Sequence, residues 1–285
     1  MDAIYSFKKL KHYKPFDETF FRLASLSIQS AKQFYNTILY ADEPSSNFLL
    51  DNGLKFDKVV ILGSIANYNG SNYAMPKILT MINRTEPYIH LDFDSILIEK
   101  PQSTNPVSFP FPEINSNNIY DYSTHKYVYD AYVKCFIDQV LNKVSLKKQN
   151  IIKWDIFPNN SALLVNNPKI VSSIFKEIIT EFVPNQLELL SPTAVEQQYL
   201  LSFLTYYQVP YDFRSNTCNF SIQEYNQKTK SEQFYYLDIQ TYVHLCNYTW
   251  YPDLTNKVLD FYYSKLKVVE QTGLFPLVVI RKKLI

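Results

Sequence analysis

Two aspartates one residue apart, Asp92 and Asp94, follow the apolar run Tyr88-Ile89-His90-Leu91. In an extended chain alternate side chains share a face, so the two carboxylates are expected to project together, with His90 one step behind. Such a pair suits a single hard cation. Mg²⁺ and Mn²⁺ prefer oxygen ligands and share them between one or two carboxylates and the phosphates of a substrate. The chemistry on offer is metal-assisted handling of a nucleotide diphosphate; the plainer reading is a pair of capping aspartates in a turn. Spacing alone is a weak signal, because fifteen aspartates in 285 residues give roughly 0.8 such pairs by chance.

Composition narrows how a diphosphate would be held. Only four glycines occur, Gly53, Gly63, Gly70 and Gly273, and neither Gly-x-Gly-x-x-Gly nor Gly-x-x-x-x-Gly-Lys-Ser/Thr is present. The backbone cradles of dinucleotide-binding and P-loop proteins are therefore excluded, which leaves metal and side chains to neutralise the charge. A net charge of +1 provides no broad field for a polyanion, so nucleic acid is not an expected partner. The three cysteines, Cys135, Cys218 and Cys246, are widely spaced and read as buried thiols rather than a disulfide framework or a zinc site. No apolar signal core and no spanning-length apolar stretch occurs, so the expectation is a soluble, cytoplasmic protein without an integral membrane segment.

The elements that must position the aspartates follow from periodicity. Strands over 3–7, 37–40, 58–62 and 88–91 alternate with helices over 20–35, 46–50 and 76–83, the last opened by Pro76. This alternation predicts an α/β fold, a mainly parallel central sheet flanked by helices, with ligands at the carboxyl ends of its strands. Residues 101–118, rich in Pro, Ser and Asn, read as a loop or lid. Helices are expected over 127–144, 168–182, 192–207 and 255–267, and strands over 156–165, broken by Pro158, and over 235–245. Arg281-Lys282-Lys283 reads as a solvated end, with a peripheral membrane contact as the alternative.

Motif order over residues 1–260 resembles the GT-A glycosyltransferases, in particular the group related to glycogenin and the bacterial lipopolysaccharide glycosyltransferases, with poorly characterised bacterial relatives. In that group an Asp-x-Asp strand precedes an Asn-Ser/Ala-Gly segment, then an Asp-Gln pair opening a helix, then a histidine completing the metal site. The corresponding residues here are Asn159-Asn160-Ser161-Ala162, Glu196-Gln197 and His244. Ala162 replaces the usual glycine, Asn247 stands near the glycine that follows the histidine, and the Lys-Pro-Trp beyond it is missing, leaving Lys257 as a distant substitute.

The resemblance implies a single GT-A domain over 1–285, with 1–100 as the nucleotide-sugar half, 119–260 as the acceptor half and 261–285 as a tail. It implies Mn²⁺ or Mg²⁺ held by Asp92, Asp94 and His244, a donor that is a nucleotide-diphosphate sugar, UDP-sugar foremost, and a saccharide, lipid-linked glycan or protein acceptor. Tyr5, Ser6, Asp42, Lys77, Asn160, Gln197 and Lys257 are the expected donor contacts, and Asp94 and Glu196 the catalytic carboxylates. Several of these have plainer roles: Asp42 as a helix N-cap, Glu196 as a first-turn acid, His244 and His90 as core histidines, Lys77 as an exposed helix lysine. Two other classes use similar residues, a metal-dependent nucleotidyltransferase or phosphohydrolase, and a catalytically silent sugar- or protein-binding module.

Overall fold

The computed structural model describes residues 1–10, 16–70, 74–110, 113–114, 156–157, 162–181, 200, 204, 207–213, 228–238, 240, 242–245, 252–266 and 278–282. The expected helices over 127–144 and 192–207 lie wholly or mostly outside them. In chain order the strands are β1 (Asp2–Phe7), β2 (Asn36–Ala41), β3 (Lys58–Leu62), β4 (Tyr88–Leu91), β5 (Ser95–Leu97), β6 (Val107–Phe109), β7 (Glu113–Ile114), β8 (Ile156–Phe157), β9 (Ala162–Val165), β10 (Tyr211–Phe213), β11 (Tyr242–His244) and β12 (Val278–Lys282). The helices are α1 (Glu18–Lys32), α2 (Glu43–Asp51), α3 (Gly63–Ala66), α4 (Met75–Asn83), α5 (Pro168–Glu181), α6 (Lys230–Asp238) and α7 (Pro252–Lys265). None is long and apolar enough to cross a membrane among the described residues.

Eight strands form one sheet in the order β10-β6-β9-β4-β1-β2-β3-β12. Every neighbouring pair is parallel except the two made by β9, which runs antiparallel to both β4 and β6. The mixed, mainly parallel α/β architecture expected from the alternation is thus present. From β1 the chain adds β2 and β3 on one side and then crosses to place β4 on the other. The β1/β4 boundary is therefore the topological switch point, beyond whose carboxyl ends open α/β sheets generally take their ligands.

Strand parity separates the two cores. Ile4, Tyr40, Val60, Tyr88 and Leu163 pack with Met75, Ile78 and Met81 of α4 and with Val171, Ile174 and Phe175 of α5. The alternate residues Ala3, Tyr5, Phe7, Leu39, Ile89 and Leu91 pack with Phe20, Ala24 and Ile28 of α1. A strand buried on both faces is mostly apolar, and β4, with His90 its one buried imidazole, and β9 are buried at every position. Asp17 caps α1 by accepting from the Phe20 N–H at 2.8 Å, which fixes where that helix starts behind the sheet.

Two expectations are corrected. The 101–118 segment is not a lid in its described part: β6 lies between β9 and β10 inside the main sheet with Val107, Ser108 and Phe109 fully buried. Pro106 and Pro110 bracket this strand rather than break it. The Asn166 and Asn167 N–H groups donate to the Pro106 carbonyl at 2.9 and 3.0 Å, while the Asn166 side chain donates to the carbonyls of Ser103 and Asn105. The strand expected over 235–245 is split, because residues 230–238 are helical and only Tyr242–His244 is extended. Its aromatic residues suggest a strand, but Glu232 makes the carboxylate half of a capping box, accepting from the Thr229 N–H at 2.8 Å and from its hydroxyl at 2.6 Å. Arg281 and Lys282 belong to β12, paired with Ile61 and Leu62 of β3 at the edge of the sheet.

Asp57 ties α1 to the β2/β3 edge. Its carboxylate accepts from the Thr37 N–H at 2.8 Å and the Thr37 hydroxyl at 2.9 Å and pairs with Lys32 at 3.0 Å. Burial alone would raise its pKa, but the Thr37 and Lys32 contacts outweigh that and hold it below the ordinary 3.8. A depressed folded pKa contributes stability above the unfolded value and loses it as pH falls through the folded one. Asp57→Asn should therefore be less stable than wild type near neutrality by about 1 kcal/mol, with the difference closing below pH ~3.8, as read by urea unfolding across pH.

Candidate active site

Asp92 follows the last residue of β4 directly, at the β1/β4 switch point. β1 and β4 are in register with Ile4 opposite His90, so Ser6 and Asp92 each lie two residues further toward the carboxyl ends. The Asp92 carboxylate meets the Lys77 ammonium of α4 at 2.8 Å, and Lys77 has only 6% of its side chain exposed. Lys77 is thus not the exposed helix lysine that its type suggests. A buried ammonium needs a carboxylate, and the α4 face of the sheet supplies one.

Asp92 and Asp94 are carried by a turn rather than by the extended strand expected for them. β4 ends at Leu91, Phe93 and Asp94 lie in a turn, and the Ser95 N–H donates to the Asp92 carbonyl at 3.2 Å. Asp94 instead meets His244, whose Nε2 is 3.3 Å from Oδ1. His244 is brought there by β11, which pairs antiparallel with β5, and the Leu245 N–H donates to the Asp94 carbonyl at 2.9 Å. The Tyr242 and Ser95 hydroxyls, 2.8 Å apart and buried, secure the same pairing. Two residues separated by 150 positions are thereby made neighbours.

Between the aspartates, Phe93 enters an aromatic cluster on the opposite core. Its ring centroid lies 5.2 Å from Tyr5, 5.8 Å from Phe7, 6.0 Å from Phe20 and 6.3 Å from Phe56. The backbone of the turn is held from α1. Ser27 donates to the Asp92 carbonyl at 3.2 Å, which leaves the Tyr5 hydroxyl to donate to Ser27 Oγ, also at 3.2 Å. Ser30 donates to the Ser27 carbonyl and accepts from the Leu97 N–H at 3.0 Å. Ser27 and Ser30 were not singled out in the sequence. Their signal is a pair of hydroxyls on the otherwise apolar, buried face of α1.

The electrostatics of the pair diverge. Burial pushes Asp92 above the ordinary carboxylate range, and Asp94 adds to this while Lys77 opposes it. Burial acts on Asp94 in the same sense, but His244 outweighs it and the net shift is downward. His90, 1% exposed, is held well below its usual value by burial and by the Lys77 charge, and so is neutral at physiological pH.

A divalent cation fits part of this arrangement. Neighbouring ligands in an octahedral shell of radius about 2.1 Å are about 3.0 Å apart, close to the Asp94–His244 separation. One oxygen of Asp92, Oδ1, is engaged by Lys77, and no group of three His, Cys, Asp or Glu poised for a metal occurs among the described residues. The residues present suit a cation held by Asp94 and His244, its remaining positions filled by diphosphate oxygens and water.

Other expected donor contacts are placed differently. Tyr5 has no exposed surface, so its side chain supports Asp92 from behind rather than facing a ligand. Asp42 is committed twice: Oδ1 accepts from the Ser45 N–H at 3.0 Å as the α2 N-cap, and Oδ2 is 3.7 Å from Lys8. Lys8 also donates to the carbonyls of Ile65, Ala66 and Tyr68, joining the exits of β1, β2 and β3. Ser6 is half-buried with its Oγ 3.0 Å from His90 Nε2. Lys257 lies exposed on α7. Asn160, Glu196 and Gln197 lie outside the described residues.

Phe93→Ala should lower unfolding stability by about 2 kcal/mol, less than full burial would give because the ring is only partly enclosed. Phe93→Leu should recover most of that loss, and denaturant titration of the three proteins measures both.

Among curated proteins, none matches the chain. Among solved structures it overlaps the apo form of mouse xyloside xylosyltransferase 1 with a TM-score of 0.45 and 11% identity, covering 86% of this chain and 98% of that one. It overlaps the glycosyltransferase GlyE of Streptococcus pneumoniae TIGR4 with a TM-score of 0.39 and 17% identity, covering 93% of this chain and 63% of that chain, less than two thirds of its length. Both scores lie under 0.5, and the fold stated above rests on the strand order itself. The model of DUF6734, described as a family of unknown function, matches residues 8–251, most of the sequence, and the chain belongs to that family.

Proposed function

We propose that this protein is a GT-A-type glycosyltransferase that moves a sugar from a nucleotide-diphosphate sugar, with UDP-sugar as the first candidate, to an acceptor hydroxyl. The observation that carries this reading is the group Lys77, Asp92, Asp94 and His244 at the β1/β4 switch point of a mainly parallel sheet. That is where open α/β sheets take ligands, and the group combines one buried ammonium with a carboxylate–imidazole pair of cis-ligand spacing.

Glycosyl transfer develops positive charge on the sugar and negative charge on the departing diphosphate. Lys77, held rigidly by Asp92, presents fixed positive charge beside the turn. Asp94 stays ionised because His244 offsets the effect of burial, so it remains available to oxygen-seeking ions at neutral pH. Mn²⁺ or Mg²⁺ bound by Asp94 and His244 would supply Lewis-acid stabilisation to the leaving group. Asp92 then acts chiefly by holding Lys77. Glu196 and Gln197 on the acceptor side and Asn160 near the donor remain assignments from the family resemblance, with residues 1–100 as the donor half and 119–260 as the acceptor half.

A donor screen tests the proposal. Mn²⁺-dependent hydrolysis of at least one of UDP-, GDP- or CMP-sugars is expected, together with a Mn²⁺-dependent thermal shift on adding UDP. Asp94→Ala should abolish the Mn²⁺-dependent shift and reduce turnover by about a hundredfold or more. Absence of any Mn²⁺- and nucleotide-dependent shift in the wild type would instead mark a silent binding module on this fold.

A further inference from the structure

β6 and β10 close one end of the main sheet, paired in register with Ser108 opposite Asp212. Register partners on adjacent strands point to the same face of a sheet. Val107 and Phe109 belong to the core shared with α4 and α5, so Ser108 and Asp212 face the other way. On its opposite flank Ser108 is paired with Leu164 of β9. The Ser108 side chain is fully buried, and its hydroxyl has no hydrogen-bond partner. Asp212 is half-buried. Its Oδ2 accepts from the Ser103 hydroxyl at 2.8 Å, while Oδ1 is shut off from the surface and has no partner either.

Two orphaned oxygens on neighbouring strands are costly, because buried polar atoms are nearly always paired. Leu164 offers Ser108 no polar group, so across the strands its hydrogen-bonding neighbour is Asp212. The two oxygens do not bond each other directly. Adjacent strands lie about 4.8 Å apart. Two oxygens that each bond the same water at about 2.8 Å, at a near-tetrahedral angle, are about 4.5 Å apart. The strand spacing therefore suits one water between the two side chains. Its chemistry suits them too: a carboxylate only accepts, a hydroxyl can donate, and a water does both.

We infer that a buried water molecule bridges Ser108 Oγ and Asp212 Oδ1, accepting from the hydroxyl and donating to the carboxylate. The bridge fastens β10 to β6 through side chains. β10 is three residues long and has one neighbouring strand among the described residues, and a short parallel pair is held weakly by backbone bonds alone. Asp212 thus ties β10 to the segment before β6 through Ser103, and to β6 itself through the water. This site shares no residue with the Lys77, Asp92, Asp94 and His244 group and does not depend on the proposed activity.

Two measurements on the full chain test the inference, and neither needs a ligand or turnover. A crystal structure of the wild type should show one solvent peak within hydrogen-bonding distance of both oxygens. A direct Ser108–Asp212 hydrogen bond, a peak with the full oxygen shell of a metal cation, or no peak at all overturns it. In solution, Ser108→Ala is compared with wild type by urea unfolding and by hydrogen exchange of the β10 amides. Removing a hydroxyl held by water loses a hydrogen bond and bares the carboxylate oxygen, so the midpoint should fall and β10 exchange should speed up about tenfold. Removing a hydroxyl that has no partner eliminates an unpaired buried group, so an unchanged or raised midpoint overturns the inference. The same substitution in an Asp212→Ala background should cost less, because the bridge is already lost there; an equal cost in both backgrounds means that Ser108 acts without Asp212 and overturns the bridge.

Discussion

A lysine ammonium almost wholly withdrawn from water is tolerable only beside a carboxylate, and the Lys77–Asp92 contact meets that requirement at the carboxyl end of β4. Much of the site follows from it. The pair anchors α4 against the β1/β4 boundary, and it engages one of the two Asp92 oxygens. It places a positive charge near His90, whose burial already disfavours protonation. It also makes the two aspartates unequal: one is structural to a lysine, the other is left to a histidine.

The turn carrying these aspartates is set by constraints from both sheet faces. Asp92 belongs to the α4 face with Ser6 and His90, while Phe93 belongs to the aromatic cluster with Tyr5, Phe7 and Phe20. The Ser27 and Ser30 hydroxyls of α1 hold the backbone between the two cores. Asp94 then falls to the small β5/β11 sheet and its own apolar cluster, where Ile96, Val243 and Tyr262 are buried. Three packing units meet over three consecutive residues. Such a turn has little freedom, and preorganised charge of this kind is what stabilises developing charge in a transition state.

The strands β1 to β4 were legible because each is built around a short apolar run bounded by polar or turn residues, and the helices between them show an apolar stripe. The Asp92/Asp94 turn was legible for a related reason: polar residues interrupt an apolar run at the end of the fourth strand. Other features were misread where local composition and tertiary context disagree. Pro106 and Pro110 imply a loop, yet the three residues between them are interior strand, because asparagines of the β9–α5 connection satisfy the flanking carbonyls. Tyr235 and Tyr236 imply a strand, yet upstream the Glu232 carboxylate takes the Thr229 N–H and a helix starts there.

Residue type and order were therefore enough to establish an α/β chain without a glycine phosphate loop, with a carboxylate pair where its fourth strand ends. These are one-dimensional properties, set by side-chain volume, polarity and period. Which partner each carboxylate takes is not of that kind. The pairing of Asp92 with Lys77, of Asp94 with His244 and of Ser6 with His90 depends on strand order and on how α4 and β11 dock. Charge interactions act through distance in space, and only the folded chain fixes those distances.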